Sequence, residues 1–520
     1  MTGRRLWLAA ACAFAAVFAT RWPFRSHALF SWDSANYALA MVHIDVAAHR
    51  PHPPGYLGYV LAARAINSIV HDPNAALVAW NMLATALSVL VLIAFASQTV
   101  EHEEHRTRVV LAGAAIMLTS PLLWFYSDIA EIYPSELLVS LLVGYWAWRA
   151  IHRQRGAIYW CVVSLACAML FKLTAALLML PLAAYAWTRV PSRDQRRSAA
   201  LLVVLVGVVV AAFLAIQPNL PEVLWTHFVG ATAESRLPGG VTATPMKALN
   251  RNVRDTLTAA ASALGVMNVG GLAVWALLDR RLPRAIDRRL AGLWLVPWLL
   301  VFLFIHIGKP GYMVPLLPPV ALVLAGFYAR QHRRVAFALI LAQAAINIAQ
   351  FVVLTPASEA SLGGTTRYSE KTLWQRAATD LQALTFPTAF TIAQSDERLA
   401  QLMQLVHTVC PSGDPIVIAG LEPVDWRRVM WYLPLATAVY RIQGRVTHIG
   451  TRTDASPLAA DGISLRTTCP VIWVTPDKDA TEPLKPAGWI PVPHLGGMTP
   501  AGTIRLSPNA ISMVDQAPAR

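Results

Sequence analysis

The sequence predicts an all-α polytopic membrane domain of about eleven transmembrane helices, followed by a water-exposed α/β domain. Two observations carry that prediction. Mean hydropathy is +0.47, with 56% apolar and only 14% charged residues, a composition that leaves too little polar surface to coat a soluble globule. The apolar residues also gather into runs of near-spanning length as far as residue 354, and no longer do so beyond it.

A span needs roughly 17 to 25 mostly apolar residues. Runs of this kind, several of them short, lie near 6–22, 75–97, 109–126, 134–150, 157–171, 173–188, 199–216, 257–278, 290–307, 312–329 and 335–354. Basic residues resist translocation and collect in cytoplasmic loops. Arg4/Arg5, Arg149/Arg153/Arg155, Arg189/Arg193/Arg196/Arg197, Arg280/Arg281/Arg284/Arg288/Arg289 and Arg330/Arg333/Arg334 all fall on one side if the spans alternate. The N-terminus is therefore expected inside and the C-terminus outside. These anchors explain most of the formal charge of +14, and no basic stripe with interleaved aromatics points to nucleic acid. Arg4-Arg5 before a short apolar run also fits a signal peptide, but Thr20-Arg21-Trp22 lacks the small residues of a cleavage site.

The expected domains are 1–354, in the membrane, and 355–520, outside it. In the second, Leu373 to Leu384 and Glu397 to His407 have helical spacing, and Trp426 to Leu433 reads as a further helix. Pro415 to Ala419 and Val471 to Val474 are short apolar runs between breakers, as buried strands are. The residues after Pro508 read as a frayed tail. Cys410 and Cys469 each precede a predicted strand, and an oxidising compartment would favour a disulfide between them; two buried thiols are the alternative.

The chemistry-bearing residues cluster at the outer ends of spans. Asp33 follows the first span in Ser31-Trp32-Asp33-Ser34, and Asp33 or Ser34 could cap a helix over Ala35–Ala47 with Trp32 and Tyr37 facing lipid. The same loop carries His49, Arg50, His52 and Tyr56, with Arg64 beyond, and Pro53-Pro54-Gly55 predicts a turn that aims these groups back at Asp33. The second outer loop, Trp124 to Pro134, holds Asp128 and Glu131, three apart and without a cation nearby in sequence. An acceptor, a divalent cation or a helix N-terminus stays open there. Lys172 interrupts the apolar run 158–187, which places an ammonium at an outer turn between two short spans, unless it only snorkels. Lys309 stands in a similar loop. Cations at one depth would form a phosphate site. No P-loop, dinucleotide fingerprint, hydrolase elbow or metal motif is present in the sequence.

Asp33-Ser34, then His52-Pro53-Pro54-Gly55-Tyr56, Asn81, Trp124 to Tyr133, Lys172-Leu173-Thr174 and Lys309-Pro310-Gly311-Tyr312 together resemble the DUF2723 and protein O-mannosyltransferase (family 39-like) branch of the GT-C membrane glycosyltransferases. The resemblance is concentrated in the first 190 residues. It implies a GT-C-like fold in a bacterial inner membrane and inverting transfer of a sugar from a polyprenyl-phosphate carrier on the outer face. It also implies Asp33 as general base. On that reading Lys172, Arg50, Arg64 and Lys309 bind the donor phosphate, and Asp128, Glu131, His49, His52 and Tyr56 serve the acceptor or a cation. The acceptor is a protein, glycan or lipid hydroxyl. Protein mannosyltransferases carry Asp-Glu where this chain has Asp33-Ser34. A transporter or lipid-linked-sugar flippase is the alternative; it would show repeat symmetry and mid-membrane charges.

Overall fold

The computed structural model describes residues 3–100, 103–226, 245–278, 288–304, 309–353, 372, 388–420, 423–442, 445–474, 488–508 and 510–514. The expected helix at Leu373–Leu384 and the arginines at 280, 281 and 284 lie outside them. Contacts divide the chain into two units. The first comprises 1–25 and 53–390, and the second 26–52 and 391–520. The loop that carries Asp33 thus groups with the C-terminal residues.

The first unit is helical. In order it contains α1 (Gly3–Arg21), α3 (Leu57–Val70), α4 (Pro73–Thr99), α5 (Glu103–Thr119), α6 (Pro121–Asp128), α7 (Tyr133–Ile151), α8 (Ala157–Phe171), α9 (Leu173–Trp187), α10 (Ser192–Ile216) and α11 (Leu220–Trp225), with α2 (Trp32–Val42) belonging to the second unit. Helices Pro245–Leu264, Val266–Leu278, Arg288–Phe304, Leu317–Arg330 and Arg333–Val352 complete it. Within the described residues every apolar run expected to span falls mainly on one or two of these helices. Among the described residues five helices are long and apolar enough to cross a membrane, or six if α5 and α6, bent by 53°, count as one. The expected count of eleven exceeds this because several runs form helices of only 13 to 17 residues.

Local chemistry sets the breaks. Ser120 caps α6 by accepting from Leu123 N, and Pro121 at its start has no N–H to continue α5. Asp72 accepts from Ala75 N to open α4, with Pro73 in its first turn. Lys172 is extended (φ −158°, ψ 108°), which ends α8 and starts α9. Helix α3, carrying Arg64, was not expected. It passes α8 so closely that a Cβ on Gly58 would lie 3.2 Å from the Leu170 backbone.

The second unit is α/β. Its larger sheet runs β4 (Ala455–Pro457), β3 (Arg445–Gly450), β2 (Thr437–Ile442), β1 (Ile416–Ala419), β6 (Val471–Val474), β8 (Gly496–Thr499), β7 (Ile490–Val492). Strand β1 is parallel to both neighbours, and the helix Trp426–Tyr432 crosses from it to β2. Alternation decides which face each residue serves. Val417, Ala419, Ile472 and Val474 pack with Leu399, Leu402 and Trp426 from the helices, while Ile416, Ile418, Val471 and Trp473 meet Ile504 and Leu506 of a second sheet. That sheet orders β10 (Ala510–Val514), β9 (Gly502–Ser507) and β5 (Ile463–Thr467). The expected frayed tail is therefore corrected: Ala510–Val514 pairs antiparallel with β9 along its length. Cys410 and Cys469 are joined as a disulfide, with Cα atoms 5.4 Å apart.

Candidate functional site

In the first unit, residues at the end of α6, the start of α7 and the end of α8 converge with the 3₁₀ segment Pro310–Leu316. Lys172 Nζ lies 2.6 Å from Glu136 Oε2, both groups buried. The ammonium also sits 4.8 Å above the ring of Tyr133 and 4.3 Å from that of Tyr312, so two π faces share its charge. Lys309 Nζ lies 2.9 Å from Glu131 Oε1, and the lysine is 36% exposed. Tyr126, whose ring is 4.5 Å from that of Tyr133, accepts a hydrogen bond from Gly311 N at 3.1 Å. A Cβ at Gly311 would overlap the ring of Tyr133, so this close approach requires glycine.

Asn81 organises the floor. Its Nδ2 donates to Ile129 O and Glu131 O, each at 2.7 Å, and lies 3.4 Å from Tyr126 O. A buried amide from α4 thus ties together the carbonyls of the turn that presents Glu131, where Ile129 O also accepts from Glu131 N at 3.0 Å. Asp128, at the end of α6, is fully buried. The charge facing it is Arg21, whose guanidinium lies 4.9 Å from the Trp124 ring and donates to Leu118 O. Residues 124–128 are helical, and both Asp128 and Glu131, which have no cation nearby in sequence, are buried beside cations from distant segments. Tyr56 and Arg64, both half-buried, lie at the start and the middle of α3.

Three residues of this cluster were not foreseen. Glu136 and Arg21 sit inside apolar runs that the sequence reads as spans, where an ionisable side chain needs a partner; that rule is the signal that could have found them. Tyr126 carried no such signal.

The second unit holds Asp33. Ser31, and not Asp33 or Ser34, is the cap of α2, forming a reciprocal capping box with Ser34. Asp33 stands in the first turn, half-buried, where the helix dipole favours a carboxylate. The expected lipid-facing helix over Ala35–Ala47 ends at Val42, and Tyr37 is buried. Trp32 lies against protein, its ring stacked on His49 with centroids 6.0 Å apart and 6.3 Å from Tyr440.

The chain does return beside α2, but through an antiparallel bridge between Asp45 and Arg50, with backbone bonds of 2.6 and 2.7 Å, and not through the Pro-Pro-Gly turn. His49 Nδ1 and His52 Nδ1 are 2.9 Å apart. With its amide turned to suit its neighbours, Asn36 donates to His49 O and accepts from Trp32 Nε1. Arg50 is buried and donates to Thr453 O at 3.1 Å, so its guanidinium is already engaged with the C-terminal residues. Among the described residues no group of three or more His, Cys, Asp or Glu is placed to hold a metal ion.

No family model and no curated protein matches the sequence. Solved structures do. ArnT from Cupriavidus metallidurans in the apo state has a TM-score of 0.50 at 18% identity over 82% of this chain and 84% of that chain. The same protein bound to undecaprenyl phosphate gives 0.51 at 15% identity over 83% and 85%. At these identities the likeness is one of fold alone.

Proposed function

We propose that this protein is a membrane glycosyltransferase that moves a sugar from a polyprenyl-phosphate carrier to an acceptor hydroxyl at the outer face of a bacterial inner membrane. The observation that carries the reading is the ArnT-like fold over more than four-fifths of the chain, the relative having been solved with undecaprenyl phosphate bound. The paired cluster around Lys172 and Lys309 adds weight. A lipid-linked donor holds its phosphate at the bilayer surface, and two ammonium groups near the outer ends of spans suit it.

In this reading Asp33 takes the proton of the acceptor hydroxyl as its oxygen attacks the anomeric carbon. The bond from that carbon to the phosphate oxygen breaks, configuration inverts, and the polyprenyl phosphate leaves with the electron pair. Lys172, Lys309 and Arg64 stabilise the leaving phosphate. Arg50, bonded to Thr453, is the weakest of the expected phosphate ligands. Tyr56, His49 and His52 serve the acceptor in the same reading. The resemblance to the DUF2723 and protein O-mannosyltransferase branch, an inside N-terminus and an outside C-terminus belong to the same proposal.

The test compares envelope glycans, lipids and proteins by mass analysis in a strain lacking the protein and in that strain complemented with wild type or with Asp33→Asn. A saccharide-sized mass on one acceptor that wild type restores and Asp33→Asn does not is the expected result. Restoration by Asp33→Asn removes the base. An unchanged envelope in the deletion strain rejects the transferase.

A further inference from the structure

Within the second unit, three successive backbone N–H groups just ahead of α2 are captured by side chains from the far end of the chain. His27 N and Ala28 N donate to the two oxygens of Asp396 at 2.7 and 3.2 Å, and Leu29 N donates to Tyr432 Oη at 2.7 Å. Asp396 is steadied in turn by its surroundings: Arg428, buried, donates to the carbonyl of the preceding Ser395 at 3.1 Å and supplies the opposite charge. Beyond α2 the loop is held again, by Arg427 donating to Ala48 O at 2.9 Å and by Arg50 on Thr453 O.

Extended loop backbone normally satisfies its donors with water. Here a carboxylate and a phenol replace water over three residues in a row, four residues before Asp33. The loop from 26 to 52 is consequently clamped on both flanks of α2.

We infer that Asp396 and Tyr432 are positioning residues that hold the Asp33 helix in register, and that this clamp is a function of the C-terminal α/β unit. The inference rests on Asp33 being the general base. A proton acceptor works only when fixed to within a fraction of an ångström of its target, and misplacement by about 1 Å can cost on the order of a hundredfold in rate. Asp396→Asn puts an amide N–H against a backbone N–H. Tyr432→Phe removes one acceptor and leaves the ring in place. Neither substitution changes a residue of the first unit, which holds the Lys172 and Lys309 cluster.

The experiment uses the full-length protein in detergent with two readouts. Hydrogen exchange is followed at the amides of His27, Ala28 and Leu29. Transfer in the complemented deletion strain is compared with binding of undecaprenyl phosphate to the purified variant. Faster exchange at these amides is expected in both variants, with transfer reduced about ten- to a hundredfold in Asp396→Asn, less in Tyr432→Phe, restored in part by Asp396→Glu, and undecaprenyl phosphate binding unchanged.

A merely structural role would lower binding and the amount of folded protein together. Unchanged exchange overturns the clamp. Faster exchange with full transfer, while Asp33→Asn is inactive, overturns positioning alone. Full transfer by Asp33→Asn overturns the base assignment and the positioning claim with it.

Discussion

Lys172 Nζ and Glu136 Oε2 form a buried ion pair at 2.6 Å, with the rings of Tyr133 and Tyr312 against the ammonium. The lysine is therefore not a bare cation waiting for an anion. Its charge is balanced at the start of α7, and whatever it does for a phosphate it does while shared with Glu136.

Separating the two roles needs both partners changed. Lys172→Met leaves Glu136 buried without its counter-charge, expected to cost about 3 to 5 kcal/mol and to lower the thermal midpoint of the solubilised protein. Lys172→Met with Glu136→Gln removes both charges and should recover most of that loss. Undecaprenyl phosphate binding should stay weakened at least several-fold, a rough figure for a lost charge-assisted hydrogen bond, in the single and the double variant alike. Binding that returns along with stability would mean that Lys172 serves only Glu136, and that Lys309 and Arg64 hold the phosphate.

Asn81 offers a test without any change of charge. Asn81→Leu withdraws the donor from the carbonyls of Ile129 and Glu131; Ile129 O keeps Glu131 N as a donor, and the Glu131 carbonyl loses this bond at about 1 to 3 kcal/mol. The turn bearing Glu131 should loosen, and transfer should fall more than undecaprenyl phosphate binding does. A thermal midpoint and a transfer yield equal to wild type would show that the turn holds itself.

Much of this could be read from the chain, and the reasons for the failures are physical. Lys172 stood out because a cation interrupts thirty apolar residues, and β1 and β6 stood out because breakers bound short apolar runs. Glu136 did not, because a single carboxylate within a span shows no periodicity and its partner is 36 residues away. Helix α3 was missed since Arg64 divides a run of only 14 residues. The grouping of residues 26–52 with the C-terminal unit was invisible to any local rule: the bonds that make it join residues up to 403 apart.

The Cys410–Cys469 link closes a loop of 59 residues beside the parallel pair β1 and β6. Peptide mapping of unreduced protein from its native compartment should find the two cysteines in one cross-linked peptide. Cys410→Ser with Cys469→Ser should destabilise the second unit by about 4 kcal/mol on the loop-entropy scale. Gly413→Ala should also be damaging, since a Cβ there would lie 2.5 Å from Cys469 Sγ and 2.9 Å from Cys410 Sγ. Free thiols in the unreduced map would reject the staple.

Stability of the second unit should depend on pH through Asp425. This carboxylate caps the helix Trp426–Tyr432 by accepting from Arg428 N, and burial pushes its pKa from 3.8 up to about 6 against the pull of Arg428. A raised folded value means that the folded state binds the proton more tightly than the unfolded one. Stability is then lost as pH rises from about 4 to 6, where the folded protein holds more protons, by up to about 3 kcal/mol. Asp396, also raised by burial, acts in the same sense. His448, lowered by burial and by Arg427, acts oppositely, because it must take up a proton on unfolding as pH falls below the usual imidazole value. The difference between wild type and Asp425→Asn isolates Asp425. Asparagine keeps the cap and cannot ionise, so its advantage over wild type should be absent near pH 4 and fully developed above pH 6, read from exchange of the β1 amides in the full-length protein. A pH-independent difference between the two would show that Asp425 does not titrate in this window.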